Sequence, residues 1–371
     1  MDEYVLIILY FFYNSDFLVL DTIKKKKIYQ YDTTYTPSNI DIFSTLFSDG
    51  AIANGVYQEL LCEKIRKLTD CKYVFLTNSG TAALHIALLS LDTSSNDQVI
   101  LPSYLCQDVL NSILYTGAKP VFVDINSNNY SLDISHTISK ISSITKAIIV
   151  PYLYGDIFSL DELKKYGIPI IEDLAHCFGG SINGQKLGSI GDIGMTSFGR
   201  GKFVDGGSGG AVFTNNSKIA EKIKILLTPT PNNYKIHFNY NLPNIIAAII
   251  CEKLSFIDRD ISKRKKIAQK YIDKISQIDK VHIRYKSNQD SFFYRFFLDV
   301  DIDKKKFIEN MEDEDVVCGV GINHPLHTAY GYDYDLPNTK IASKKSIGLP
   351  TRPNLTDEEI ESIIKAIKDV L

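Results

Sequence analysis

Two residues stand out for the chemistry they could share. The apolar run Ile168-Pro169-Ile170-Ile171 delivers Glu172 and Asp173 where a buried strand should end. Downstream, Ser197 and Phe198 precede Lys202, and a glycine-rich tract, residues 206–210, follows it. A lysine amine can hold a carbonyl cofactor as a Schiff base, and a fixed carboxylate can keep that cofactor's ring nitrogen protonated. This is the logic of pyridoxal 5'-phosphate (PLP). A free amine is protonated near neutral pH, so Lys202 needs burial or a neighbouring positive charge to act, and Arg200 is a candidate for the latter. The plainer alternative is a surface lysine in a glycine loop. The glycines themselves read either as a flexible turn or as a place where backbone passes close to a ligand before the Ala211-Val212-Phe213-Thr214 strand.

A phosphate needs a cradle, and one is visible upstream. Tyr73-Val74-Phe75-Leu76 reads as a strand, Thr77-Asn78-Ser79-Gly80-Thr81 as a small polar turn, and residues 82–89 as a helix with an apolar stripe. Strand, turn, helix is the geometry that points free backbone N–H groups at an anion, and Ser79 and Thr81 add hydroxyls. Read alone, the same turn serves as an ordinary N-cap.

The elements that must position these groups alternate along the chain. Further strands are expected at residues 98–102, 118–124, 147–150 and 168–173, with helices at 105–114 and 159–166. Such alternation predicts an α/β fold with a mostly parallel sheet covered by helices on both faces. Sites in such sheets lie beyond the carboxyl ends of the strands, where Ser79, Ser103, Tyr154 and Asp173 fall. A surface helix at 218–227 and a loop at 228–233 follow, then one long helical pattern from about 244 to 278. Beyond lies a smaller unit with a strand at 292–298, a helix at 303–311, a turn at His324-Pro325-Leu326-His327 and a final amphipathic helix opened by a Thr356/Glu359 capping box.

Composition narrows the class. A chain of 371 residues can bury a large core and suggests about two domains. A net charge of −3 predicts no pull toward nucleic acid. The six cysteines, Cys62, Cys71, Cys106, Cys177, Cys251 and Cys318, form no C-x-x-C pair, so neither a metal site nor a disulfide framework is expected, and a reducing cytoplasmic location fits. Residues 4–13 (YVLIILYFFY) are continuously apolar but follow Asp2 and Glu3, and the run is too short to span a bilayer. A packed strand or helix of an N-terminal arm is expected rather than a membrane anchor.

Taken together, Glu172-Asp173-Leu174-Ala175-His176, Gly191-Asp192-Ile193 and Ser197-Phe198-Gly199-Arg200-Gly201-Lys202 resemble the nucleotide-sugar aminotransferases of the DegT/DnrJ/StrS type. Ser79-Gly80-Thr81-Ala82-Ala83-Leu84 matches their phosphate-binding turn. The resemblance runs from about Ser38 to Leu371 and is densest between Thr77 and Thr214. It implies a fold-type-I PLP-dependent transferase with a seven-stranded, mostly parallel sheet and a smaller C-terminal α+β domain. Residues 1–37 would form an N-terminal arm, 38–235 the large PLP-binding domain, and 236–371 the small domain with its connecting helix.

The resemblance also implies roles. Lys202, Asp173 and His176 would be catalytic, with His176 against the cofactor ring or its phenolic oxygen. Gly80, Thr81 and Ser197 would hold the phosphate beside Ser79, and Asn239 of Asn239-Tyr240-Asn241 would reach the phosphate of a second copy in a homodimer with shared active sites. Three positions depart from the family pattern. Cys106 stands where relatives place a stacking aromatic, Asn241 where they have an arginine, and Ser208 where a glutamate is common. The implied reaction moves an amino group from an amino acid, glutamate by resemblance, to a keto group of a nucleotide-linked sugar, as in polysaccharide biosynthesis. Alternatives are a keto-sugar dehydratase, whose relatives carry histidine in place of Lys202, an amino-cyclitol aminotransferase, and a non-catalytic scaffold that kept the fold.

Overall fold

The computed structural model describes residues 27–30, 41–228, 236–284 and 291–371. The apolar run at residues 4–13 and most of the loop expected at 228–233 lie outside the described residues. A short strand, β1 (Ile28–Tyr29), comes first. The central sheet takes β2 (Tyr73–Thr77), β3 (Gln98–Pro102), β4 (Lys119–Val123), β5 (Thr145–Pro151) and β6 (Ile170–Asp173). A small hairpin of β7 (Ser181–Ile182) and β8 (Gln185–Lys186) intervenes before β9 (Ile193–Ser197) and β10 (Gly210–Thr214) complete it.

The seven strands run in the order β2-β10-β9-β6-β5-β3-β4. Only β10 is antiparallel to its neighbours; the pairings of β3, β4, β5, β6 and β9 are parallel. Residues 147–151 of β5 and 170–171 of β6 are apolar on both faces because both are covered. On one side Ile148, Val150 and Ile170 pack with Leu160 and Leu163. On the other, Ala147, Ile149 and Ile171 pack with the helix Gly80–Ser90, which is buried almost all round. Its alanines at 82, 83 and 87 let it lie close over the sheet. The α/β, mainly parallel architecture expected from the sequence is the one observed.

The smaller unit is a four-stranded antiparallel sheet of β11 (Val281–His282), β12 (Phe296–Val300), β14 (Gly319–Val320) and β15 (Ser346–Leu349), in the order β11-β12-β15-β14. Between them, β13 (Val316–Val317) pairs in parallel with β1, and Ile28 joins the core there. The final helix, Asp357–Val370, is opened by the Thr356/Glu359 box as expected.

Three expectations are corrected. The helical pattern from 244 to 278 is two helices, Asn244–Leu254 and Ile257–Ile275. Phe256 leaves helical geometry (φ −110°, ψ 5°), and the break turns Leu254 and Ile257 into one core cluster with Leu61 and Ile65. The strand expected at 292–298 is only Phe296–Val300. Phe293 takes a positive φ of 50°, and the Phe292 N–H leaves the ladder to donate to Gly155 O. The helix expected at 159–166 shrinks to Asp161–Lys164.

Candidate active site

The carboxyl end of β2 feeds the helix Gly80–Ser90 through a tightly specified corner. Thr77 Oγ1 donates to Ser79 O at 2.9 Å, and Ser79 Oγ caps the helix by accepting from the Ala82 N–H at 3.1 Å. Gly80 and Thr81 open the helix and line a cavity of about 290 Å³. First-turn N–H groups have no intrahelical acceptor, and the helix dipole favours an anion beside them. Ser197, at the end of β9, closes the corner so tightly that a Cβ on Gly80 would lie 2.6 Å from Ser197 Cβ. Only glycine fits there.

Asp173 ends β6 in the floor of the same cavity. Its Oδ1 accepts from the Ala175 N–H at 2.9 Å. Burial pushes its carboxyl up, while that N–H and Lys202 pull it back. Its sequence neighbour Glu172 faces the other side of the strand. There Glu172 accepts from the N–H groups of Gly188, Ile190 and Gly191 and from the Tyr152 hydroxyl, so it holds the loop before β9 together. One carboxylate is saturated by the protein. The other keeps acceptor capacity for a ligand.

Lys202 projects from a turn between β9 and β10 and lines the cavity with Asp173. Asp205 staples that turn by accepting from the Gly201 and Gly207 N–H groups, each at 2.7 Å. Lys202 Nζ lies 3.4 Å from His176 Nε2. The Tyr154 N–H donates to His176 Nδ1 at 3.2 Å, so in the neutral ring the proton sits on Nε2. Burial first, then Lys202 and Arg295, hold this imidazole well below the usual histidine range. Tyr154 adopts φ 58° to deliver that N–H, and its ring stacks on both His176 and Phe297. Cys106 and Asp108 form the wall beside the cavity at the start of the helix Gln107–Leu114.

The cavity therefore brings Ser79, Gly80, Thr81, Cys106, Asp173, Ser197 and Lys202 together, with His176 touching Lys202. Asn239 is not among them; it is exposed on the loop whose Tyr240 O accepts from the Asn78 N–H. Sequence reasoning missed Tyr294 and Arg295. Tyr294 stacks on His176 with ring centroids 4.5 Å apart, and its hydroxyl donates to Gly201 O, which Arg295 Nη2 also reaches at 3.3 Å. Both sit in a stretch that read as a plain apolar strand, so no local signal marked them. Among the described residues no group of three His, Cys, Asp or Glu side chains could hold a metal ion.

Residues 36–368 match the model of the DegT/DnrJ/EryC1/StrS aminotransferase family. The chain belongs to that family. GDP-perosamine synthase of Escherichia coli O157:H7 is 29% identical to this aminotransferase, over 85% of this chain and 91% of the relative. The aminotransferase TlmJ from Streptoalloteichus hindustanus shares the fold with a TM-score of 0.87 at 22% identity, covering 93% of this chain and 98% of its own. The structure of ntda from Bacillus subtilis with bound cofactor PMP does so with a TM-score of 0.82 at 24% identity, covering 95% and 90%. The aminotransferase depends on PLP. Its residues fit that group: an anion corner that a Cβ would fill, a carboxylate with spare acceptor capacity, and a lysine lining the same cavity.

Proposed function

We propose that this aminotransferase moves an amino group from an amino acid, glutamate by resemblance, to the keto group of a nucleotide-linked sugar. The observation that carries the reading is the single cavity in which Lys202, Asp173 and the Gly80–Thr81 corner meet. The sugar nucleotide class is supported by the likeness to GDP-perosamine synthase and to a dTDP-3-amino-3,6-dideoxy-alpha-D-galactopyranose transaminase.

PLP bound there would supply an electron sink for the carbon that loses a proton. Gly80, Thr81 and Ser197 would hold its phosphate, and Asp173 would accept from its ring N–H and keep that nitrogen charged. Lys202 Nζ would take a proton from the donor's α-carbon and return one on the other side of the transfer. His176, neutral and with its proton on Nε2, would donate to the phenolic oxygen without adding charge. Cys106 would form one wall against the ring, leaving more room there than an aromatic would. Asn239 is assigned to the phosphate of a second copy, which makes the working unit a homodimer in the cytoplasm. In this reading residues 38–235 form the large PLP-binding domain and 236–371 the small C-terminal domain with its connecting helix.

The test uses enzyme loaded with pyridoxamine 5'-phosphate and a panel of nucleotide keto-sugars, with one cyclitol ketone as a separate arm. Return of the aldehyde form's visible absorbance with a nucleotide keto-sugar supports the reading. Return with the cyclitol ketone alone replaces the substrate class.

A further inference from the structure

Cys106 lines the cavity but does little to hold itself there: it stands at the N-cap of the helix Gln107–Leu114 and its side chain makes no cap hydrogen bond. The turn before it is what is held. Strand β3 ends at Pro102, and the next two residues, Ser103 and Tyr104, are fully buried. Both are gripped by residues 321–327, which follow β14 of the smaller unit.

The Leu326 N–H donates to Ser103 O at 2.9 Å, and the His327 N–H donates to Ser103 Oγ at 3.0 Å. Ser103 Oγ also lies 2.6 Å from His327 Nδ1. Among the described residues no other acceptor meets that hydroxyl, so Nδ1 accepts its hydrogen, and the Nε2 proton faces Thr328 Oγ1 at 3.2 Å. Burial first, then Lys340, hold this imidazole below the usual histidine range and so in the neutral form that can accept. One residue on, the Ile322 N–H donates to the Tyr104 hydroxyl at 3.2 Å. That hydroxyl fills the space a side chain on Gly321 would need. The Tyr104 ring meets Tyr154 edge-on, and Tyr154 stacks on His176.

A serine this close to a histidine is also the spacing of a nucleophile and its base. Ser103 is 0% exposed and its oxygen already accepts a backbone N–H, so no substrate carbon can reach it. The pair positions rather than reacts. A thiol offers a flat ring few contact atoms, and a gap of half an ångström to one ångström forfeits a quarter to a half of each contact's attraction. The place of the wall therefore matters more with Cys106 than with a broad side chain.

We propose that Ser103, Tyr104 and His327 are positioning residues for the cofactor wall: through them residues 321–327 fix the turn 103–106 and so the place of Cys106 in the cavity. This rests on the PLP site described above and is indifferent to which ketone is aminated.

The experiment compares wild-type, Tyr104→Phe, His327→Ala, His327→Asn and Ile360→Val proteins. Of the six cysteines only Cys106 is exposed. Its alkylation by iodoacetamide is timed by peptide mass spectrometry with and without PLP, and the ratio of the two rates is the protection PLP gives. The second readout is the visible-band circular dichroism of the PLP-loaded protein, which reports how its walls hold the ring. Protection should fall about 10-fold in Tyr104→Phe and in His327→Ala, with a weaker dichroic band. His327→Asn should recover most of the loss, because its Oδ1 can accept the Ser103 hydroxyl where Nδ1 did. Tyr104→Phe carries the test if His327→Ala does not fold. Ile360→Val loosens the core of the final helix, away from the turn, and should match wild type.

Unchanged protection and dichroism in Tyr104→Phe and His327→Ala overturn the assignment. So does an equal loss in Ile360→Val, which would mark general loosening, or wild-type protein that binds PLP without protecting Cys106. Wild-type protein that binds no PLP overturns the reading of the cavity itself, which is a different failure.

Discussion

Asp173 and Asp156 show how one physical cause leads to two outcomes. Burial raises both carboxyls. Asp173 faces a cavity, where a cationic partner would return it to the charged form. Asp156 has no such outlet: its Oδ2 is buried without a hydrogen-bond partner, and its pKa is pushed up to about 7. An unfolded aspartate ionises near 3.9, so the folded state binds the proton more tightly. The penalty therefore grows as pH rises from about 4 to about 7 and is full above that range. Asp156→Asn should remove it. The gain in unfolding free energy should be about 2–3 kcal/mol larger at pH 8 than at pH 5. Urea denaturation at the two pH values checks this; equal gains at both would show that the Asp156 charge carries no penalty.

At the scale of elements, the helix Gly80–Ser90 and strand β9 meet where there is no room for a methyl group. Gly80→Ala sets two effects against each other. Alanine favours a helix over glycine by about 1 kcal/mol, but its Cβ would sit 2.6 Å from Ser197 Cβ. Overpacking of that kind costs about 1–3 kcal/mol and shifts the corner at Gly80 and Thr81, so the clash wins. We expect a net loss of stability and about 10- to 100-fold weaker PLP binding, read by cofactor titration alongside a denaturant melt. Tighter cofactor binding in Gly80→Ala would contradict this account of the corner. The strand-to-helix turn was legible because Ser79, Gly80 and Thr81 are local in the chain. The Glu172 and Asp173 pair was legible as a strand end, but not as two roles, because Glu172's partners lie at Gly188 to Gly191. The 244–278 pattern kept helical periodicity through Ser255 and Phe256, so its break was invisible until the core demanded both Leu254 and Ile257. Tyr294 and Arg295 were hidden for a related reason: Phe293's positive φ and the approach to Gly155 are tertiary facts.

At the scale of the whole molecule, a buried polar network beside the site ties the four-stranded sheet to the loop after β4. Arg284 and Asp299 pair at 2.6 Å, with side chains 8% and 5% exposed, so the pair is desolvated. Asp299 Oδ1 also accepts from the Tyr130 hydroxyl and from Ser346 Oγ, and Arg284 Nη1 reaches Ser127 O. Tyr130 packs edge-on against Tyr154, which stacks on His176, so the network reaches the site. Removing one partner of a buried pair strands the other's charge, and Arg284→Met should cost about 3 kcal/mol. Arg284→Met combined with Asp299→Asn should cost less than the sum of the two single changes, as measured by denaturant unfolding. Strict additivity would mean the pair does not act as a unit. The central claim concerns a different pair, Lys202 and Asp173. Protein incubated with PLP and reduced with borohydride should carry one pyridoxyl group, and peptide mass spectrometry should place it on Lys202. A label on another lysine, or none at all, would contradict the account.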